Sequence, residues 1–168
     1  MHILLVNGKP GTGKTSVSRK LLGLLPEPAA WIDTDDLMRM HPFHEESAFT
    51  DALHRGLLLV RDFESRGYAH VILSGCVHSS ALWEQLKNTL SGGSVAYIHL
   101  KASPDICDER KRAQGYSAEK HPTMFHIIHD TSNELTADAI APCPWISIDT
   151  SSDTQEEIAQ SILKIISE

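Results

Sequence analysis

The chain has 168 residues and a formal net charge of −7, with 41% hydrophobic and 22% charged residues. These values are typical of a globular protein, and we expect residues 1–168 to form a single domain. No stretch approaches the ~18 uninterrupted apolar residues of a membrane span, and we see no secretion signal, so we expect a cytoplasmic protein without a membrane partner. The acidic balance argues against a nucleic-acid partner, because that binding needs clustered lysine and arginine.

The first element is an apolar run, His2–Asn7, which predicts a strand that leads into a glycine-rich loop. The loop fits the pattern G-x-x-x-x-G-K-[ST], in which backbone N–H groups and the start of the next helix surround a phosphate. The lysine of this pattern reaches the β- and γ-phosphates, and the hydroxyl that follows it can ligate Mg²⁺. The pattern therefore predicts a nucleotide-phosphate site, with Lys14 also in a catalytic role, formed by Gly8, Pro10, Gly11, Thr12, Gly13, Lys14 and Thr15.

Two further elements follow the loop. Residues 15–25 carry apolar side chains at helical spacing and stop at Pro26, which predicts a helix. Residues 29–32 are a short apolar run typical of a strand, and it ends at an acidic stretch, residues 33–36. Because ligands bind outside the carboxyl ends of strands in open α/β sheets, we expect these acids and the phosphate loop to face one crevice.

The acidic stretch supplies the candidate carboxylates for chemistry. Asp33 and Asp35 are two positions apart, and in extended geometry such side chains point to the same side. We predict that Asp35 accepts a proton from a substrate hydroxyl, and that Asp33 supports Mg²⁺ together with Thr15. Helix capping is the structural alternative for these aspartates. We assign that role to Asp36, ahead of a helix that begins near Leu37.

The rest of the chain alternates between helical and strand patterns. Apolar spacing and turn residues predict strands over residues 70–73, 95–100 and 145–148, and helices over residues 46–66, 80–90, 103–112, 123–137 and 153–167. Strands that alternate with helices in this way specify a parallel sheet with helices on both faces. We therefore predict an α/β fold, a three-layer α/β/α sandwich around a five-stranded parallel sheet.

A polar, cation-rich stretch over about residues 110–122 lies between two of the predicted helices. We expect it to form a flap whose closure would exclude water from the reaction. Arg110 is the best candidate there for covering the adenine or stabilising the transferring phosphoryl group, and Arg112 is the next. A solvated basic helix end, placed favourably against the helix dipole, is the structural alternative.

The remaining motifs narrow the class of reaction. We find neither the guanine-reading Asn-Lys-x-Asp nor the Asp-x-x-Gly switch of a GTPase, and the third strand is followed by Ser74 rather than by the acid of a mechanical ATPase. With its phosphate loop, the chain resembles the small P-loop kinases, which include shikimate kinase, gluconate kinase, adenylate kinase and chloramphenicol phosphotransferase. Asp33-Thr34-Asp35 is similar to the D-x-D of shikimate kinases, and residues 25–28 with Asp35 and Pro42 are similar to chloramphenicol phosphotransferase.

The resemblance implies a kinase that uses ATP and Mg²⁺ to phosphorylate a hydroxyl of a small-molecule acceptor. In shikimate kinases the first Asp of D-x-D supports Mg²⁺ and the second meets the substrate hydroxyl, and in chloramphenicol phosphotransferase the Asp that matches Asp35 is the catalytic base. A nucleoside or nucleotide kinase and a non-catalytic ATP-binding regulator are the alternatives. Residues 74–76 match neither chloramphenicol phosphotransferase nor shikimate kinase, so the acceptor stays open, as does the oligomeric state. Arg39, His41 and His44 follow the acids and are candidates to line an acceptor pocket.

Overall fold

The computed structural model describes residues 1–39, 47–75, 77–90, 94–130 and 135–167. Within these residues, five strands form one parallel sheet: β1 (His2–Asn7), β2 (Ala29–Asp33), β3 (His70–Ser74), β4 (Ser94–Lys101) and β5 (Trp145–Asp149). Their order across the sheet is β2–β3–β1–β4–β5, and every adjacent pair is parallel. The helices are α1 (Lys14–Leu24), α2 (Thr34–Leu37), α3 (Ala48–Ser65), α4 (Ser80–Thr89), α5 (Pro104–Ala113), α6 (Pro122–His129), α7 (Ala137–Ile140) and α8 (Gln155–Ser167).

The central strand β1 is buried on both faces, which is why it reads as a continuous apolar run. Ile3 and Leu5 pack into one core cluster with residues of α3 and α4, while Leu4 and Val6 pack into a second cluster with residues of α1 and α8. Burying a side chain of this size contributes roughly 1.5–3 kcal/mol, so the two clusters hold the helices on opposite faces. The predicted three-layer sandwich with five parallel strands is confirmed.

One predicted helix differs clearly from the structure. The helix predicted over residues 123–137 is wrong as one element, because α6 ends at His129, where Asp130 turns to an extended conformation at φ −76° and ψ 121°. The separate helix α7 begins after Thr136, whose side chain accepts from the backbone N–H of Ala139. The start predicted for the third helix, residue 46, lies outside the described residues.

The last helix, α8, begins at Gln155, two residues after the predicted start. The backbone N–H of Thr154 donates to the Glu157 carboxylate at 2.9 Å, and the backbone N–H of Glu157 donates to the Thr154 hydroxyl at 3.3 Å. This reciprocal capping box satisfies donors that the first turn of a helix leaves without partners. In the part of the chain that the structure describes, no helix is both long and apolar enough to cross a membrane.

Candidate active site

The glycine-rich loop joins β1 to α1 at the carboxyl edge of the sheet. Gly11 has φ +89°, and a Cβ atom there would lie 2.7 Å from the Cys107 carbonyl oxygen on α5. A Cβ atom on Gly8 would collide with the carbonyl oxygen of Leu100 at the end of β4. The loop therefore runs directly against β4 and α5, and glycine is required where its backbone makes these approaches.

Lys14, the first residue of α1, folds back over this loop. Its Nζ donates to the carbonyl oxygens of Gly8 at 2.8 Å and Lys9 at 3.2 Å. An ammonium group has three donor hydrogens, so these contacts leave one for a phosphate. Burial lowers the pKa of Lys14 below its ordinary value, and the negative charge of Asp35 opposes that shift. The site thus holds a partly desolvated cation that an anion would stabilise.

Asp33, the last residue of β2, contacts two neighbouring elements. Its Oδ2 accepts from the Thr15 hydroxyl at 3.0 Å, and its Oδ1 accepts from the backbone N–H of Asp35 at 3.2 Å, which caps α2. Burial and the charge of Asp35 raise the pKa of Asp33, while the Thr15 hydrogen bond lowers it. The prediction that Asp36 caps this helix is wrong, because the cap is Asp33 and Asp36 instead pairs with Arg39 at 2.9 Å.

Asp35 lies in the first turn of α2, so the extended geometry expected for it is wrong. The chain leaves the strand at Asp33, and Asp35 nevertheless lines the same cleft as Asp33 and Lys14. The intervening residue is held firmly, since the buried Thr34 hydroxyl donates to the Ser74 carbonyl oxygen at 2.7 Å. Gly75 follows with φ +103°, and a Cβ atom there would lie 2.9 Å from Thr34 Oγ1 and 3.6 Å from Asp35 Oδ1. Asp35 is thereby set close to the end of β3.

Arg110 connects α5 to the loop and to the segment after β5. Its Nη1 donates to the Gly11 carbonyl oxygen at 3.3 Å and the Thr150 hydroxyl at 3.2 Å, and its Nη2 donates to the Thr150 carbonyl oxygen at 2.5 Å. Arg112 instead lies over the Phe125 ring, 5.3 Å from its centroid. Arg110 therefore belongs to the cleft, whereas Arg112 packs the end of α5 on α6. A flap over residues 110–122 remains a prediction.

The predicted site residues line one cleft of ≈ 1620 Å³. The loop, Lys14, Thr15, Asp33, Asp35 and Arg110 all contribute to its surface.

Sequence reasoning missed a wall formed by Met38, Phe49, His78, Tyr97, His99 and Leu135, which we call the acceptor wall. His99 pairs with Asn7 across β4 and β1, and Tyr97 precedes it by two residues on the same face of β4. Polar residues at the end of apolar strands were the available signal for Asn7 and His99. Arg39 also lines the cleft, while His41 and His44 lie outside the described residues.

The fold is shared with solved structures at low sequence identity. The APS kinase of Mycobacterium tuberculosis, solved in complex with AMPPNP and APS, is similar with a TM-score of 0.75 at 16% identity, over 99% of this chain and 98% of that chain. A gluconokinase from Sinorhizobium meliloti 1021 has a TM-score of 0.67 at 16% identity, over 99% and 91%. The tunicamycin resistance protein of Deinococcus radiodurans has a TM-score of 0.60 at 17% identity, over 98% and 94%. The predicted resemblance to small P-loop kinases is confirmed at the level of the fold.

Sequence comparison assigns the family independently of these structures. No curated protein sequence matches the chain. A family model described as AAA domain matches residues 3–127, a span that begins in β1 and covers the phosphate loop, the acidic stretch and Arg110. Because that match takes in most of the chain and all of its candidate site residues, the protein belongs to the AAA domain family, in the α/β fold of the P-loop kinases.

Proposed function

We propose that the protein is a kinase that transfers the γ-phosphate of ATP to a hydroxyl group of a small molecule. One observation carries the proposal: the carboxylate of Asp35 lines the same cleft as the Lys14 ammonium and the Thr15–Asp33 pair. A phosphate cradle and a carboxylate in one cleft are what phosphoryl transfer to an alcohol requires. Two of the proteins with a similar fold, an APS kinase and a gluconokinase, are kinases by name, which supports the same class of reaction.

The residues of the cleft divide the work of the reaction. The loop N–H groups and Lys14 bind the β- and γ-phosphates and hold them in position. Asp35 accepts the proton of the acceptor hydroxyl while that oxygen forms a bond to the γ-phosphorus. The bond from the γ-phosphorus to the bridging oxygen then breaks, and ADP leaves with the electron pair. In this proposal Arg110, which is bonded to Gly11 and Thr150, contacts the nucleotide.

Thr15 and Asp33 fit a Mg²⁺ ion by the chemistry of their donors. A hydroxyl and a carboxylate, 3.0 Å apart, present oxygen atoms alone, which is the ligand type that Mg²⁺ prefers. When bound, the ion supplies positive charge that neutralises the phosphate oxygens. In this proposal Thr15 and Asp33 would hold the ion. Burial raises the pKa of Asp33, and the positive charge of the ion would favour its ionised form.

The test replaces Asp35 by asparagine and uses its exposed neighbour as the control. Asp35→Asn removes the proton acceptor but keeps the shape of the side chain, so we expect kcat to fall by about 10²–10⁴-fold. The affinity for ATP, measured by calorimetry, should change by less than about threefold, since the phosphates are held by the loop and Lys14. Asp36→Asn, which loses only an exposed ion pair with Arg39, should keep both values.

The assay is ADP formation across a broad panel of hydroxyl compounds. Acceptor-stimulated ADP formation that survives Asp35→Asn would remove Asp35 from the mechanism. Turnover confined to nucleosides or nucleotides would assign the protein to that class of kinase instead. ATP binding without acceptor-stimulated ADP formation by any compound would favour a non-catalytic regulator.

A further inference from the structure

The charges around the cleft carry information about the acceptor. Resting on the proposed function, we infer that the acceptor is a neutral or cationic hydroxyl compound that bears no phosphate, sulfate or carboxylate group. The observations are the positions of the cations, the character of the acceptor wall and the charge of the carboxylates beside it.

Every lysine and arginine of this chain has a described position. The sequence contains 15 lysine and arginine residues, and none of them falls among the residues outside the description. The cations nearest the phosphate loop are Lys14 and Arg110, both bonded to loop carbonyl groups. Lys111 lies over the Tyr116 ring, 4.8 Å from its centroid. These three lie on the side of α1 and α5, where the nucleotide is expected.

Two further cations that line the cleft, Arg19 and Lys20, belong to α1 and lie away from the acceptor wall. Lys20 of α1 pairs with Glu156 of α8 at 3.2 Å, and Arg19 lies over the Trp31 ring at 6.0 Å from its centroid. Both helices pack on the core cluster opposite to that of the acceptor wall, since Leu21 and Ile158 belong to one cluster while Tyr97 and Leu135 belong to the other. Neither cation is placed to receive an anionic group of the acceptor.

The acceptor side of the cleft is lined by two lysine or arginine residues, and both already have partners; Arg55 of α3 lies near this side, is not part of the cleft surface, and donates to the Leu37 carbonyl oxygen at 3.2 Å. Arg39 donates to Asp36 at 2.9 Å, so this pair adds no net charge to the cleft. Lys9 donates its Nζ hydrogen to the Ile128 carbonyl oxygen at 3.2 Å, on the C-terminal half of α6. A phosphate or sulfate on the acceptor would therefore enter the site without a dedicated arginine or lysine, and burying an unpaired anion is costly.

The acceptor wall itself is mostly apolar and aromatic. Phe49 and His78 meet edge to face with ring centroids 4.5 Å apart, and Phe49 stays 38% exposed at the cleft. Tyr97 and Leu135 are buried behind this surface. An exposed aromatic ring at the mouth of a cleft is suited to contact the body of a ligand, because aromatic contact needs no compensating charge.

The carboxylates beside the acceptor wall also favour neutral or cationic acceptors over anionic ones. Asp35 and Asp130 both line the cleft, and Asp35 carries a negative charge when it acts as proton acceptor. A second anion brought next to them would be repelled, whereas an ammonium group would be attracted. The cleft therefore discriminates by charge as well as by shape.

The test compares acceptors in matched sets that differ only in charge. Suitable sets are a sugar with its amino and carboxylate derivatives, a nucleoside with its 5′-monophosphate, and an aromatic alcohol with amide, aminomethyl and carboxylate substituents. At pH 8, where an ordinary histidine is neutral, we expect kcat/KM for ADP formation to be at least tenfold higher for the neutral or cationic member of any set that is turned over. Higher kcat/KM for the anionic member would overturn the inference and leave the kinase proposal intact.

Binding measured with the same sets keeps the two proposals separate. If no compound stimulates ADP formation, the kinase proposal fails, and the charge preference is decided by titration calorimetry against the protein with Mg²⁺ and ADP. Tighter binding of the neutral or cationic members supports the inference, and tighter binding of the anionic members overturns it. A panel with neither turnover nor binding overturns both proposals.

A charge placed in the acceptor wall gives a complementary test. Phe49→Lys puts an ammonium group where the inference says that a cation is missing, so kcat/KM for the anionic member relative to the neutral one should rise about tenfold. Leu58→Lys is the matched control, because Leu58 is an exposed residue of the same helix that does not line the cleft. Met38→Arg repeats the test from a different element if Phe49→Lys fails to fold. An unchanged ratio in the folded variants would contradict the inference.

Discussion

Thr15 and Asp33 are joined across the cleft by a hydrogen bond of 3.0 Å, donated by the hydroxyl at the start of α1 to the carboxylate at the end of β2. The two elements come from different parts of the chain and pack on each other, although β3 lies between β2 and β1 in the sheet. The same carboxylate caps α2 through its other oxygen. One side chain thus serves the proposed metal site and the local fold, and a substitution can separate these two roles.

Asp33→Asn should remove the metal role and keep the structural one. Asparagine caps helices as well as aspartate does, so the fold should persist. Thermal shift should show that Mg²⁺ no longer increases the stabilisation by ADP, with affinity for the Mg²⁺ complex about tenfold or more weaker. In the ligand-free protein, burial raises the pKa of Asp33 above 3.8, so the wild type should gain stability relative to the variant as pH falls through that raised pKa. Identical Mg²⁺ dependence in both proteins would exclude Asp33 as a ligand.

Lys14→Met should stabilise the ligand-free protein while it abolishes nucleotide binding. Burial lowers the pKa of Lys14 from 10.5, so the unfolded chain holds this proton more tightly than the folded chain does. The stability of the wild type should therefore rise relative to the variant as pH increases from the lowered pKa towards 10.5. Urea unfolding at several pH values between neutral and alkaline measures this difference. The control is Lys20→Met, which removes an exposed lysine of the same helix that pairs with Glu156 and should leave nucleotide binding near wild type.

Thr34→Val should slow turnover without loosening the nucleotide. The substitution keeps the shape of the side chain but removes the hydroxyl that donates to Ser74, which leaves a buried carbonyl oxygen without this partner and costs about 1–3 kcal/mol of stability. Because Thr34 acts on Asp35 by positioning it, we expect kcat to fall about tenfold with an unchanged Kd for ATP. Thr34→Ser restores the donor and should recover most of kcat. If valine and serine behave alike, the hydrogen bond has no part in placing Asp35.

Arg110→Met should weaken nucleotide binding more than the matched change at Arg112. Methionine keeps much of the length of the side chain but removes every donor to Gly11 and Thr150, so the loop loses a lateral support. We expect affinity for ATP to fall about tenfold and kcat to fall further if the guanidinium also contacts the phosphoryl group. Arg112→Met should leave both values near wild type, since Arg112 packs on Phe125 instead. Equal effects of the two variants would exclude a specific role of Arg110 in nucleotide binding.

The sequence predicted the elements because their signals are local. Each buried parallel strand is a short apolar run, the phosphate loop is a contiguous pattern, and the capping box of α8 spans Thr154 to Glu157. Such features depend on neighbouring residues and need no knowledge of the tertiary structure. The order of the strands in the sheet, by contrast, depends on contacts between distant segments and cannot be predicted from any one of them.

The errors at the site arose where distant residues decide the geometry. Asp35 was placed on an extended chain, but the bond from Thr34 to Ser74, 40 positions away, accompanies a turn of helix immediately after Asp33. The partners of Arg110 lie 99 and 40 positions away, which no local pattern can identify. The acceptor wall assembles from α3, β4 and the segments after α2, before α4 and before α7. Only the packed structure brings these residues together.

The role of Thr150 has a consequence for how the protein is made. Its hydroxyl lies 3.1 Å from the Thr12 carbonyl oxygen and 3.0 Å from that of Lys101, and its backbone carbonyl receives Arg110. The nucleotide-binding pattern is complete in the primary structure by residue 15, yet the hydrogen bonds of Thr150 to Thr12 and Arg110 arrive only with residue 150. During synthesis the ribosome must therefore release residue 150 before the loop acquires these two hydrogen bonds. A truncation that stops ahead of β5 would retain the whole motif and lose both of these hydrogen bonds.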